Sequence, residues 1–197
     1  MSKFQVKFYG TSARPLDYGG RQRAANVDSA IAYIEHHFNG GSAKANYCLV
    51  NVGTNAGAKS KAMAAAYVGR ISNTFGIPRA NNDFAKNGVS VGGYKGRGNA
   101  NLVGTRMPAM LLEPLFATNP THAAFIKSAD GQQKLAAAIA TTVRDHFPDG
   151  GLVAFSVGHK YKASAPHDRG VAVAGGGTEA DYAEKVLQLA AKLLTES

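Results

Sequence analysis

The chain has 197 residues, 45% of them hydrophobic and 18% charged, which excludes an intrinsically disordered polymer and fits one domain around a single core. Its 22 Lys and Arg against 13 Asp and Glu leave a formal charge of +9, a bias toward polyanions such as nucleic acid, anionic lipid or anionic cell-wall polymers. A single cysteine, Cys48, excludes an internal disulfide and a cysteine-built zinc site, and its apolar neighbours mark it as a buried structural thiol.

The opening Met-Ser-Lys-Phe-Gln-Val-Lys lacks an apolar stretch of signal-peptide length, and no spanning segment follows, so neither export signal nor membrane anchor is expected. Residues 3–9 alternate polar and apolar, the period of a half-buried strand. A polar turn at 11–15 precedes a short helix-compatible stretch, Arg21 to Asn26. Ala30 to Glu35 reads as a buried strand delivering His36 and His37 to its carboxyl end, the ligand-binding edge of an open α/β sheet. After Gly40-Gly41 comes a second apolar segment, Tyr47 to Val52. Met63, Tyr67, Ile71 and Phe75 then recur every fourth residue and predict a helix over 58–75, stopped by Gly76 and Pro78.

Residues 79–106 are rich in Gly and Asn and carry Arg79, Lys86, Lys95, Arg97 and Arg106 with Phe84 and Tyr94; they read as a partly ordered loop facing a substrate. Pro108 to Leu112 predicts a strand that ends at Glu113, an acid that must be solvated, paired or catalytic. Asn119-Pro120 reads as a turn and 130–147 as a helix, with His122 and His146 as surface residues flanking it. A breaker at 148–151 leads to the strand Leu152 to Val157, with Gly158-His159 at its carboxyl end. Beyond a loop over 160–177, Thr178 is an N-cap whose capping box Asp181 completes, and Ala183, Val186, Leu187, Ala190, Leu193 and Leu194 form the buried face of a last helix. Glu179 is thereby fixed in that helix's first turn. Strands alternating with helices give an α/β fold, a single domain over 1–197 with a mostly parallel twisted sheet flanked by helices.

Two histidine sites at strand ends, together with Glu179, supply the imidazole and carboxylate donors of a catalytic zinc centre that keeps one position open, and Glu113 suits the acid/base beside it. Each residue also has an ordinary reading: strand-end histidines are often structural or solvated, and a first-turn Glu complements the helix dipole. Spacing alone leaves open which of His36 and His37 points inward.

Residues 34–39 read I-E-H-H-F-N, residues 107–119 MPAMLLEPLFATN, residues 152–159 LVAFSVGH and residues 177–185 GTEADYAEK. These stretches resemble motifs of the zinc-dependent N-acetylmuramoyl-L-alanine amidases, the type-3 amidase family of bacterial cell-wall enzymes and phage endolysins. The corresponding family patterns are S-I-H-x-N, M-P-A-x-L-x-E-x-x-F-x-x-N, a strand ending in G-H, and a helix opening T-E-A-x. The helix from Gly131 onward also looks like the family's last helix.

The resemblance selects His37 over His36 and implies Zn2+ held by His37, His159 and Glu179, with Glu113 as general acid/base. It implies hydrolysis of the amide between N-acetylmuramic acid and L-alanine in peptidoglycan. Along this chain the motifs run third ligand, catalytic acid, first ligand, second ligand, as in a circular permutation, with Ser197 near Met1 and the join at 147–151.

Two departures, Lys160-Tyr161 where the family has a glycine pair after G-H, and Glu35 for the serine, are expected to reshape the substrate cleft more than the metal site. Lys86, Lys95, Arg97, His167 and Arg169 are candidate substrate contacts. The expected protein is a monomeric phage endolysin with peptidoglycan rather than nucleic acid as partner, made in the host cytoplasm and acting at the cell wall. Its rivals are a zinc peptidase cutting another peptidoglycan bond and a non-catalytic basic wall-binding or nucleic-acid-binding module.

Overall fold

A computed structural model describes residues 2–196. Strands β1 (Phe4–Phe8), β2 (Ala32–His36), β3 (Leu49–Val52), β4 (Val89–Val91), β5 (Ala109–Glu113) and β6 (Gly151–Val157) form one sheet in the order β1-β6-β2-β5-β3-β4. The first four in that order are mutually parallel, whereas β3 runs antiparallel to β5 and carries β4 parallel to itself. Helices α1 (Tyr18–Val27), α2 (Ala58–Phe75), α3 (Pro120–Lys127), α4 (Ala129–His146) and α5 (Glu179–Thr195) complete the α/β fold.

The strand alternation sorts side chains onto two faces. Ile34, Val50, Leu112 and Phe155 share one face and pack against Met63, Tyr67 and Ile71 of α2, Leu135, Ile139 and Val143 of α4, and Val186 and Leu187 of α5. Full burial of each such side chain contributes roughly 1.5–3 kcal/mol, so this layer dominates stability. The opposite face carries Tyr33, Leu111 and Ala154 under Tyr9, Ala25 and Leu102. It also carries polar groups, Glu35, Asn51 and Ser156, which the functional site uses.

Several expectations change. Residues 79–106 contain the edge strand β4 and two single 3-10 turns, at 94–96 and 99–101. Asn119-Pro120 starts a helix rather than a turn: the Asn119 side chain accepts from the Thr121 and His122 amides, and Pro120 takes the first helical position, where no donor is needed.

His122 is not a surface residue. It is buried; its Nδ1 accepts from the Phe116 amide at 3.0 Å and its Nε2 lies 2.9 Å from Asn46 Oδ1. His146 ends α4 half-buried, with Nδ1 2.9 Å from the Thr142 carbonyl oxygen. Cys48 is buried as expected, and burial pushes its thiol up to about 11. The expected approach of Ser197 to Met1 lies outside the described residues; next to them, Ser2 Oγ donates to the Leu194 carbonyl at 2.6 Å.

Candidate metal centre and substrate cleft

Because β6, β2 and β5 are adjacent and parallel, the residues that leave their carboxyl ends lie side by side: Gly158-His159, His37 and Glu113. Pairing continues one residue past the strands, the His37 amide donating to the Leu112 carbonyl and the Gly158 amide to the His36 carbonyl, each at 2.9 Å. Glu179 arrives from the first turn of α5, which Thr178 caps by accepting from the Asp181 amide.

His37, His159 and Glu179 each offer one donor atom, and these atoms all lie within 4.8 Å of one another. His37 Nδ1 is 3.0 Å and His159 Nε2 3.3 Å from Glu179 Oε1. The two imidazoles meet edge-on, centroids 4.8 Å apart at 78°. Two glycines allow this closeness: a Cβ at Gly158 would come within 2.4 Å of the His37 ring, and one at Gly170 within 2.3 Å of Glu179 Oε2.

Each imidazole turns its other nitrogen to a carboxylate. His37 Nε2 lies 2.8 Å from Glu35 Oε1, and His159 Nδ1 3.0 Å from both Asp168 oxygens. Such partners fix ring orientation and tautomer in metal sites. Glu35 is fully buried and accepts further bonds from Asn101 Nδ2, Ser156 Oγ (2.9 Å) and Tyr33 OH (3.2 Å). Beneath it, the fully buried Arg21 donates to Ser156 Oγ and to the carbonyls of Leu16, Val157 and Lys160.

Charge follows from this geometry. Burial alone would raise the Glu179 pKa, but hydrogen bonds from His159 and His37 hold it down at about 2. Burial opposes charge on His37 and His159 too, and the facing carboxylates outweigh it, so both are shifted up. The cluster thus attracts positive charge. Glu113 behaves oppositely: burial lifts it to about 7, only partly offset by the nearby imidazoles, and its Oε2 has no hydrogen-bond partner among the described residues. Two imidazoles and a carboxylate, each held from behind, fit a zinc-type ion with a further position left open.

His36 points to the helix-covered face, against Phe38, with Nδ1 2.8 Å from the His37 carbonyl oxygen and Nε2 without a partner among the described residues. Burial pushes its pKa down to about 3. It takes no part in the cluster.

The cluster and Glu113 open into a cleft of about 1000 Å³ whose walls include Tyr18, Tyr47, Phe84, Tyr94 and Arg97. Of the basic and imidazole side chains proposed from sequence as substrate contacts, Arg97 lines it; Lys86, Lys95, His167 and Arg169 do not. Lys86 is exposed in the turn that pairs with Val89, Lys95 reaches over the Tyr94 ring, His167 is exposed on its loop, and Arg169 donates to the carbonyls of Pro166 and Asp168.

The two departures also act elsewhere than expected. Lys160 Nζ bonds Asp181 (2.8 Å) and Glu184 (2.7 Å), and Tyr161 OH bonds Glu184 (2.8 Å), so both grip α5 and hold the His159 turn to the helix carrying Glu179. Glu35 touches His37 rather than the cleft wall. Asp168, Asn101 and Arg21 were not singled out from sequence as site residues. The alternation Tyr33, Glu35, His37 was the one available signal, since it places all three on one face.

Fold and site together define the class: a single-domain α/β protein whose strand ends present a cluster able to hold a metal ion. The chain belongs to the N-acetylmuramoyl-L-alanine amidase family, whose model matches residues 1–145. No curated protein sequence matches the chain.

Among solved structures, the N-acetylmuramoyl-L-alanine amidase catalytic domain from Bacillus (Paenibacillus) polymyxa var. colistinus is similar at 22% identity and TM-score 0.54, covering 68% of this chain and 66% of that one. An amidase of the same name from Clostridium difficile is similar at 21% identity and TM-score 0.56, with the same coverage of 68% and 66%. The N-acetylmuramyl-L-alanine amidase from Mycobacterium smegmatis gives 22% identity, TM-score 0.54 and coverage of 66% and 60%. At these identities the likeness establishes the fold. The chain spans 66%, 66% and 60% of these three structures, less than two thirds in each case.

Proposed function

We propose that the protein is a zinc-dependent N-acetylmuramoyl-L-alanine amidase that hydrolyses the amide between N-acetylmuramic acid and L-alanine in peptidoglycan. The observation that carries this reading is the convergence of His37, His159 and Glu179 beside Glu113, at the edge where three parallel strands end. In it His37 Nδ1, His159 Nε2 and Glu179 hold the ion, and Glu35 and Asp168 keep the two rings oriented. Zinc, when bound, polarises the scissile carbonyl and acidifies water.

Glu113 takes the proton from the attacking water and returns it to the departing amine. A carboxyl lifted to about 7 has both states accessible near neutrality, and its unpartnered Oε2 is free to accept that proton.

The reading includes a circularly permuted order of motifs. The family match ends at residue 145, whereas His159 and Glu179 lie beyond it and still meet His37 in space. It extends to a phage endolysin acting as a monomer at the wall, on the strength of a +9 charge suited to an anionic polymer. Among the described residues no helix is long and apolar enough to cross a membrane.

The test is the turbidity of a purified peptidoglycan suspension with the protein alone, with chelator, and with zinc restored. Clearing that chelator stops and zinc restores is expected, with free muramoyl ends and intact stem peptides as products; clearing indifferent to chelator refutes the metal, and cleaved stems refute the bond. For the endolysin role, co-expression with a membrane-permeabilising protein should lyse the host, and intact cells would reject it.

A further inference from the structure

A second polar group faces the cleft without a partner. Asn51 of β3 is 7% exposed, its Oδ1 is buried and unpartnered, and its side chain has no hydrogen bond among the described residues. It pairs with Leu111, while Leu49 pairs with Glu113, so Asn51 lies on the Glu113 face of the sheet, one strand over and two residues down. With roughly 3.4 Å per residue and 4.8 Å between strands, the two side chains are rooted about 8 Å apart.

The loop above Asn51 turns on glycines at positive φ: a Cβ at Gly93 (φ +71) would come within 1.8 Å of the Arg97 carbonyl oxygen and one at Gly98 (φ +83) within 3.2 Å of Leu111, both lying at ordinary contact distance, 3.6 and 3.5 Å, from the Asn51 amide. Phe84 and Tyr94, centroids 5.0 Å apart, wall the outer side. Arg97 projects from the same loop, lines the cleft, and has no ion pair among the described residues.

We propose that Asn51, Arg97, Phe84 and Tyr94 form a specificity subsite for the peptide side of the substrate, Asn51 pairing a backbone peptide group about two residues beyond the scissile amide and Arg97 the free carboxylate of that residue. This rests on the amidase reading above. An Asn side chain presents one acceptor and one donor group, the complement of a peptide group's N–H and C=O. A guanidinium with no ion pair among the described residues suits a carboxylate, which a saccharide ring does not offer. The two-residue span is that of Asn51: about 8 Å from the root of Glu113, at roughly 3.3–3.6 Å per extended residue; Arg97 lines the same cleft.

The test uses two synthetic muropeptides that differ only in whether the second stem residue carries a free carboxylate or its carboxamide. Wild-type protein should show about tenfold lower KM for the carboxylate, the scale of one charge-assisted hydrogen bond, with similar kcat. Arg97→Gln should erase that preference while kcat holds, and Asn51→Leu should raise KM on both. Equal KM for the two peptides in the wild type, or an Arg97→Gln variant that keeps the preference or raises KM equally on both as a saccharide subsite would, overturns the subsite. Calorimetric binding of the same pair to zinc-loaded Glu113→Gln protein reads the preference without turnover. If neither peptide is cut, the amidase reading fails, and that binding measurement alone then decides the subsite.

Discussion

Replacing Glu35 by Gln tests whether the buried carboxylate behind His37 sets the metal affinity. Glu35 accepts from four groups, His37 Nε2, Asn101, Ser156 and Tyr33, and makes no contact with the cleft. Gln keeps the shape but exchanges one acceptor oxygen for an NH2 group, so donors face a donor, and the negative charge above Arg21 is lost. Outer-shell partners of metal-bound histidines are worth about 10–100-fold in affinity, or about 1.4–2.8 kcal/mol. Zinc affinity measured by competition with a chromophoric chelator should fall by that amount, and Glu35→Ser, the residue in the family pattern, should also weaken zinc because a serine is too short to reach Nε2. Wild-type affinity in a variant with unaltered circular dichroism would refute the reasoning.

Glu113→Gln should lose at least about 100-fold in turnover, the lower bound for a general acid/base, while elemental analysis still finds zinc; an active variant removes Glu113 from the mechanism. In wild type kcat/KM should rise as pH climbs toward 7, because the carboxyl must ionise to act as base, and a bound cation moves this limb lower. His36, held neutral with its pKa lowered from 6.5 to about 3, stabilises the fold fully above pH 6.5 and progressively less as pH falls toward 3. At about 1.4 kcal/mol per unit this amounts to up to ~4–5 kcal/mol, so His36→Leu should narrow the gap between urea midpoints at pH 7 and pH 4; an unchanged gap contradicts the assignment. Arg21→Met strands three carbonyls and Ser156 Oγ, and should cost roughly 3 kcal/mol or more in denaturant unfolding; a loss under about 1 kcal/mol would show that water replaces it.

β2, β5 and β6 were legible as short apolar runs ended by glycine or a polar residue and β1 by its alternation, whereas the three-residue β4 was hidden in a Gly- and Asn-rich stretch; α2, α4 and α5 were legible because their apolar residues recur at helical spacing. The gathering of His37, His159 and Glu179 was legible through motif resemblance, since spacing alone could not choose between adjacent histidines. The structure supplies the physical reason: alternation sends His36 to the helix-packed face and His37 to the Glu35 face. What stayed hidden depended on long-range pairing. Asp168 reaches His159 through a loop turn, Asn101 reaches Glu35 across 66 positions of sequence, and Arg21 looks like an ordinary basic residue on a short helix. His122 was misread because nothing local announces that Asn46 and the Phe116 amide will satisfy both ring nitrogens.

The reversal of β3 divides labour across the sheet. The three candidate ligands and Glu113 come from the ends of β2, β5 and β6 and the start of α5, while the far wall of the cleft hangs from β3, which runs antiparallel to β5, from β4 beside it, and from the turns that follow. Residues 84–98 of that wall make no hydrogen bond to Glu35 or to the cluster among the described residues, so they can be exchanged without moving a ligand atom so long as Asn101, which bonds Glu35, is kept. An engineer seeking a different selectivity would graft residues 84–98 and leave the other edge untouched.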